Sequence, residues 1–132
     1  MKTPKLNKKS YHKNLKDQCG LLWSECIKVR AGYKSEISGG TQRLNSHHLY
    51  GKNCYALRFS LENGICITWA EHNFGFHQEG SRRKFEDKVR QLRGKDIYDK
   101  LQRMNWIATS VDLHMTKIYL TKKLEEFKRG DL

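Results

Sequence analysis

Apolar and polar positions divide this chain into segments of different period. From Leu15 to Arg30, the residues Leu15, Cys19, Leu22, Cys26 and Val29 recur at steps of three and four, and Trp23 and Ile27 widen the stripe. That pattern predicts a helix with one buried face, and Ala31-Gly32 supplies its stop. Upstream, residues 1–16 hold Lys2, Lys5, Lys8, Lys9, Lys13 and Lys16 with almost no apolar side chains, which predicts a flexible basic arm. Ser38-Gly39-Gly40 predicts a turn. Leu44, Tyr50, Tyr55, Leu57 and Phe59 follow, mixed with polar residues, and Ile65-Cys66-Ile67-Thr68-Trp69 is a β-favouring run after Glu62-Asn63-Gly64. The Asn-Gly step reads as a turn into a strand. Two short antiparallel strands are therefore expected near 43–49 and 64–69, joined by a loop. Phe85, Val89 and Leu92 predict a helix over 81–93 that Gly94 ends, and Ile97, Tyr98, Leu101 and Met104 predict another over 95–104. A last helix is expected over 109–129, with Thr109 or Ser110 as its cap, Asp112 in its first turn and Val111, Ile118, Leu120, Leu124 and Phe127 as apolar positions. The predicted class is α+β, a mostly helical single domain around a short β-hairpin followed by a helix. Its folded part would span residues 17–132, with the core motif at 43–80 and a helical part at 81–132.

Charge adds a partner to this outline. The 132 residues include 26 Lys+Arg against 14 Asp+Glu, a net +12 with histidine neutral. Basic small domains commonly meet polyanions, because neutralising phosphates releases counterions; a solubilising surface is the plainer use of the same charge. No apolar run approaches the ~18 residues of a membrane helix, and no apolar signal stretch follows the basic start Met1-Lys2-Thr3-Pro4-Lys5. A cytoplasmic, non-membrane protein is expected. Cys19, Cys26, Cys54 and Cys66 form no CxxC pair, so they are expected as reduced thiols that pack as small apolar groups.

Of the six histidines, His12 falls in the expected arm and His114 in the last helix, and neither suggests a role. His47, His48, His72 and His77 cluster around the two strands, with Asn63 between them. Neutral imidazoles bind divalent metals. Adjacent residues on a strand point to opposite sides, so one histidine of the pair can face a metal while the other faces an attacking water. Taken singly, a His-His pair is often a polar surface pair, Asn63 a turn residue and His72 a helix cap.

The order His47-His48, Asn63, His72 resembles the HNH, or His-Me finger, endonucleases with their ββα-metal motif. Ser46-His47-His48-Leu49-Tyr50-Gly51-Lys52 is similar to the family's first strand, Leu61-Glu62-Asn63-Gly64-Ile65-Cys66-Ile67-Thr68 to its entry into the second, and Glu71-His72-Asn73-Phe74-Gly75-Phe76-His77 to its metal-binding helix. The run Leu22 to Arg30 resembles the helix before the motif in small phage-type members. The resemblance covers roughly residues 20–105. It implies that His48 is the general base and that His47 and His72 bind one divalent ion. Asn63 would hold the His48 ring or the loop around it. It also implies DNA as the substrate and Mg²⁺ or Mn²⁺ as the expected ion, with Zn²⁺ or Ni²⁺ as alternatives. Small free-standing members are phage or mobile-element proteins that act in homing, packaging or recombination, and monomer and homodimer both stay open.

The chain departs from the family pattern in two places. Many small members bind a structural zinc through CxxC pairs. Here Ser35-Glu36-Ile37-Ser38 stands where the first pair would be and Trp69-Ala70-Glu71 replaces the second, so no structural zinc is expected. Related nucleases also place two metal histidines four apart, whereas His72 and His77 are five apart. On a regular helix that step rotates about 140°, and His77 reaches the metal only if the helix begins after His72. Lys52, Arg58, Arg82, Arg83, Lys84 and Lys88 are the candidate DNA contacts. Arg58 is also a candidate ion-pair partner for Glu62, and the charges at 82–93 are equally read as a solvated helix face. The alternatives to an enzyme are a non-catalytic nucleic-acid-binding protein on a decayed nuclease scaffold and a zinc-based module, for which the cysteines lack ligand spacing.

Overall fold

The computed structural model describes residues 8–50, 54–76, 79–106 and 110–130. Helix α1 (Lys8–Arg30) opens the chain, and strand β1 (Leu44–His48) follows a loop. A short helix α2 (Tyr55–Arg58) and a 3₁₀ turn (Leu61–Asn63) occupy the connection to strand β2 (Gly64–Thr68). A π-helical turn (Glu71–Phe76) leads to α3 (Glu79–Arg93), α4 (Lys95–Trp106) and α5 (Leu113–Lys128). The protein is thus an α+β domain, mostly helical, around one antiparallel hairpin.

The hairpin register pairs Leu44 with Thr68, Ser46 with Cys66, His47 with Ile65 and His48 with Gly64. Side chains alternate across the strands, so the two faces carry different chemistry. Cys66 joins a core of Leu15, Cys19, Trp23, Cys26, Ile27, Phe59, Leu113 and Leu120, built chiefly from α1 and α5. Ile65 and Ile67 pack with Val89, Phe85, Tyr98, Leu49 and Ile37 on the other face. β1 covers one edge of β2. The other edge is closed by Glu36, whose backbone N–H donates to the Cys66 carbonyl at 2.9 Å and whose carboxylate accepts from the Cys66 N–H at 2.8 Å. Arg93 reaches the same carboxylate at 2.9 and 3.0 Å and the Gly64 carbonyl at 2.9 Å, and Arg30 donates to the carbonyls of Leu61 and Gly64 at 2.7 and 2.9 Å. An open edge strand is thereby converted into a satisfied one.

Three expectations need correction. The helix begins at Lys8, so residues 8–16 of the expected arm are helical, while residues 1–7 lie outside the described residues. Lysine density concealed the tertiary anchors of this stretch: Leu15 is buried, and the Tyr11 hydroxyl bonds His114 Nε2 of α5 at 2.7 Å. The cap of α5 is Asp112 itself, whose side chain accepts from the Met115 N–H at 3.1 Å. Of the residues expected there, Ser110 precedes the helix and Thr109 lies outside the described residues. Glu62 is ion-paired with Lys100 of α4 at 2.6 Å, and the Arg58 guanidinium lies 5.9 Å from the Phe59 ring.

Three of the four thiols pack as small apolar groups, and Cys54 is half-buried. Cys19, Cys26 and Cys66 are buried, and Cys19 and Cys26 direct their sulfurs at the carbonyls of Leu113 and Leu120. Among the described residues, no helix is long and apolar enough to cross a membrane.

Candidate functional site

The end of β2 fixes where His72 goes. Thr68 and Glu71 form a reciprocal capping box: the Thr68 N–H donates to the Glu71 carboxylate at 2.9 Å, and the Glu71 N–H donates to the Thr68 hydroxyl at 3.1 Å. The chain therefore turns from strand to helix within one step, and His72 follows the lock directly. Gly75 lets this turn press on α3, since a Cβ there would stand 2.7 Å from the Phe85 ring. His72 consequently meets His47 of β1, with ring centres 4.8 Å apart and planes at 62°. The T-x-x-E spacing of Thr68 and Glu71 is the local signal of this box in the sequence.

His48 occupies the opposite face. Its ring lies flat on Trp23 of α1, with centres 4.0 Å apart and planes 6° from parallel. Its Nε2 is 2.8 Å from the Arg58 carbonyl oxygen. A carbonyl only accepts, so Nε2 carries the proton, and Nδ1 is the basic nitrogen of the neutral ring. Trp23 also donates its indole N–H to the Ser60 carbonyl at 2.8 Å, so one side chain fixes both the imidazole and the loop beside it. Gly64, opposite His48, leaves room for this arrangement, because a Cβ there would stand 2.5 Å from Ile27 Cδ1 and 2.7 Å from Trp23 Cζ2. Sequence periodicity placed Trp23 in the apolar stripe; its stacking on His48 depends on a partner 25 residues away and left no local signal.

Asn63 is fully buried and holds the loop. Its Oδ1 accepts from the Tyr50 N–H at 2.9 Å, and its Nδ2 donates to the carbonyls of Leu57 at 3.0 Å and Tyr50 at 3.4 Å. Of the two uses expected for it, gripping the loop is the one these bonds serve. Its own carbonyl accepts from the Leu49 N–H at 3.0 Å, next to His48. Tyr50 lines a groove of about 410 Å³ with Arg90, Lys95 and Tyr98, where burial pushes the Tyr98 hydroxyl up to about 12.

The basic candidates are dispersed. Arg82 is paired with Glu86 at 3.0 Å, and Arg83, Lys84 and Lys88 are exposed along α3. Arg58 contributes its backbone carbonyl to His48. Lys52 and His77 lie outside the described residues. Among the described residues, no three His, Cys, Asp or Glu side chains converge as a ready ligand set, so His47 and His72 stand as a pair. The chain matches no family model, no curated protein and no solved structure. The resemblance to HNH endonucleases therefore rests on the residues themselves and on how they are arranged.

Proposed function

We propose that this protein is a metal-dependent HNH-type endonuclease that hydrolyses DNA phosphodiester bonds. The observation that carries the reading is the pairing of His47 with His72 on one face of the hairpin while the neighbouring His48 is gripped by Trp23 and the Arg58 carbonyl on the other. An imidazole pair is a donor set for a borderline divalent ion. Their ring centres are 4.8 Å apart, near enough to share one ion and also the spacing of an ordinary edge-to-face ring contact.

His47 and His72 would hold the divalent ion, Mg²⁺ or Mn²⁺, with Zn²⁺ or Ni²⁺, which imidazoles bind more readily, as the alternatives. When bound it supplies positive charge to the scissile phosphate and the leaving oxygen. His77 is proposed as the third ligand. His77 lies outside the described residues, so this role rests on the resemblance alone.

His48 Nδ1 would take a proton from water, whose oxygen attacks phosphorus; the P–O3′ bond breaks to leave a 5′-phosphate, the released O3′ takes a proton from solvent water to become the 3′-hydroxyl, and His48 returns its proton to solvent. Since His47 and His48 project to opposite faces, a phosphate that reaches both must lie across the outer edge of β1. Asn63 acts by positioning the loop that carries the Arg58 carbonyl. Arg83, Lys84 and Lys88 are proposed backbone contacts. A phage or mobile-element role and a cytoplasmic setting belong to this same proposal.

Plasmid digestion across a metal series tests the reading. Wild type is expected to nick or cut with Mg²⁺ or Mn²⁺, and His48→Ala to lose at least about a hundredfold in rate. Intact plasmid with every metal, or equal cutting by His48→Ala, rejects it. Salt-dependent DNA binding without cleavage would select a non-catalytic binding protein instead.

A further inference from the structure

The hairpin end farthest from His48 carries an arrangement that the catalytic proposal does not use. Trp69 is 41% exposed and Phe74 is 55% exposed. The two rings meet edge to face at 5.7 Å, and the Arg43 guanidinium lies 5.0 Å from the Trp69 ring centre. This is a built surface. The Trp69 N–H donates to the Arg43 carbonyl at 2.7 Å, extending the β1–β2 ladder by one step, and Asn73 Nδ2 donates to the Trp69 carbonyl at 3.0 Å. Arg43 holds a left-handed backbone, φ +52°, which costs a non-glycine residue stability. Phe74 shares the π turn with His72. Arg43 immediately precedes β1, and Leu44 to His47 alone spans ~10 Å at the strand rise, or ~three stacked nucleotides along one DNA strand.

We propose that Trp69, Phe74 and Arg43 form a stacking contact for an unpaired base of the DNA strand that passes His47 and His72. The inference rests on the nuclease reading and adds a substrate class to it: single-stranded or locally unpaired DNA. Exposed aromatic faces beside a cation are the elements that hold single strands, since every base has a π-face and the guanidinium meets the phosphate or the base. A base inside a duplex has both faces covered by its neighbours and cannot use them. The chain's net charge of +12 makes a polyanion the fitting occupant, in preference to an apolar protein surface or a second copy.

Binding measured in EDTA separates this contact from cleavage. Wild type, Trp69→Ala, Trp69→Phe and Phe74→Ala would be titrated against a labelled oligothymidylate and a duplex of equal length, at one salt concentration, with thermal melts as the check on folding. Trp69→Ala is expected to weaken single-strand binding about tenfold and duplex binding about twofold or less, with Trp69→Phe recovering most of the loss. Phe74→Ala should fall in the same direction, and it carries the test together with Trp69→Phe if Trp69→Ala does not fold. Unchanged single-strand affinity, an equal loss on both DNAs, or a dimer that only Trp69→Ala dissociates overturns the proposal. Plasmid cleavage by wild type, run alongside, reports on the nuclease reading alone.

Discussion

Gly64 shows how much a single position can carry. Its backbone is ordinary extended chain, φ −128° and ψ 147°, so glycine is required there for space and not for conformational freedom. A methyl group at this position would meet Ile27 and Trp23 well inside van der Waals contact. Gly64→Ala is expected to lower unfolding stability by about 1–3 kcal/mol, read as a fall in the denaturation midpoint. Because Trp23 must shift, the proposed cleavage activity should fall as well. The Asn63-Gly64 step was legible in the sequence as a turn into a strand, and a strand does begin there. The reason for the glycine was not legible, because Ile27 is 37 positions away and no local pattern encodes its approach. Asn63 is similar: its type and place were readable, but the three backbone bonds that bury it depend on how the loop folds back.

At the scale of elements, both strands and all the longer helices were visible as periodicity, to within a few residues at most ends. What periodicity missed was each element held by polar partners remote in sequence. The loop at Ser35–Ser38 is the clearest case. It stands where many small members of the family that the chain resembles carry a CxxC pair, and here it is tied down by hydrogen bonds. The Ser35 hydroxyl accepts from the N–H groups of Ile37 and Ser38 at 3.1 and 3.2 Å. Glu36 joins β2 to Arg93 of α3 with both side chains less than a fifth exposed. Glu36→Gln would keep the shape and remove the charge that Arg93 faces. It is expected to cost about 2 kcal/mol, measured by chemical denaturation, with faster amide exchange at Cys66 as the local signature.

Across the whole molecule, the charge excess pointed to a polyanion without saying where it binds. Arg82 is tied to Glu86, whereas Arg43 stands with exposed aromatics that no charge count singles out. The thiols give a measurable property of the assembled core. Burial pushes Cys26 and Cys66 from 9.0 up to about 11 and raises Cys19 as well. The folded protein thus keeps these protons when the unfolded chain has lost them. The stability they contribute is complete below pH 9 and is lost as pH rises from there to about 11. The denaturation midpoint should decline across that window. At about pH 8, Ellman's reagent should label the half-buried Cys54 in the native protein and the other three cysteines only after unfolding.

The π turn at Glu71–Phe76 has a further consequence for how such a motif tolerates change. A π turn is what an α-helix becomes when it absorbs one inserted residue without unwinding. The wider repeat stays local to Glu71–Phe76, and His72 keeps its place against His47 of β1.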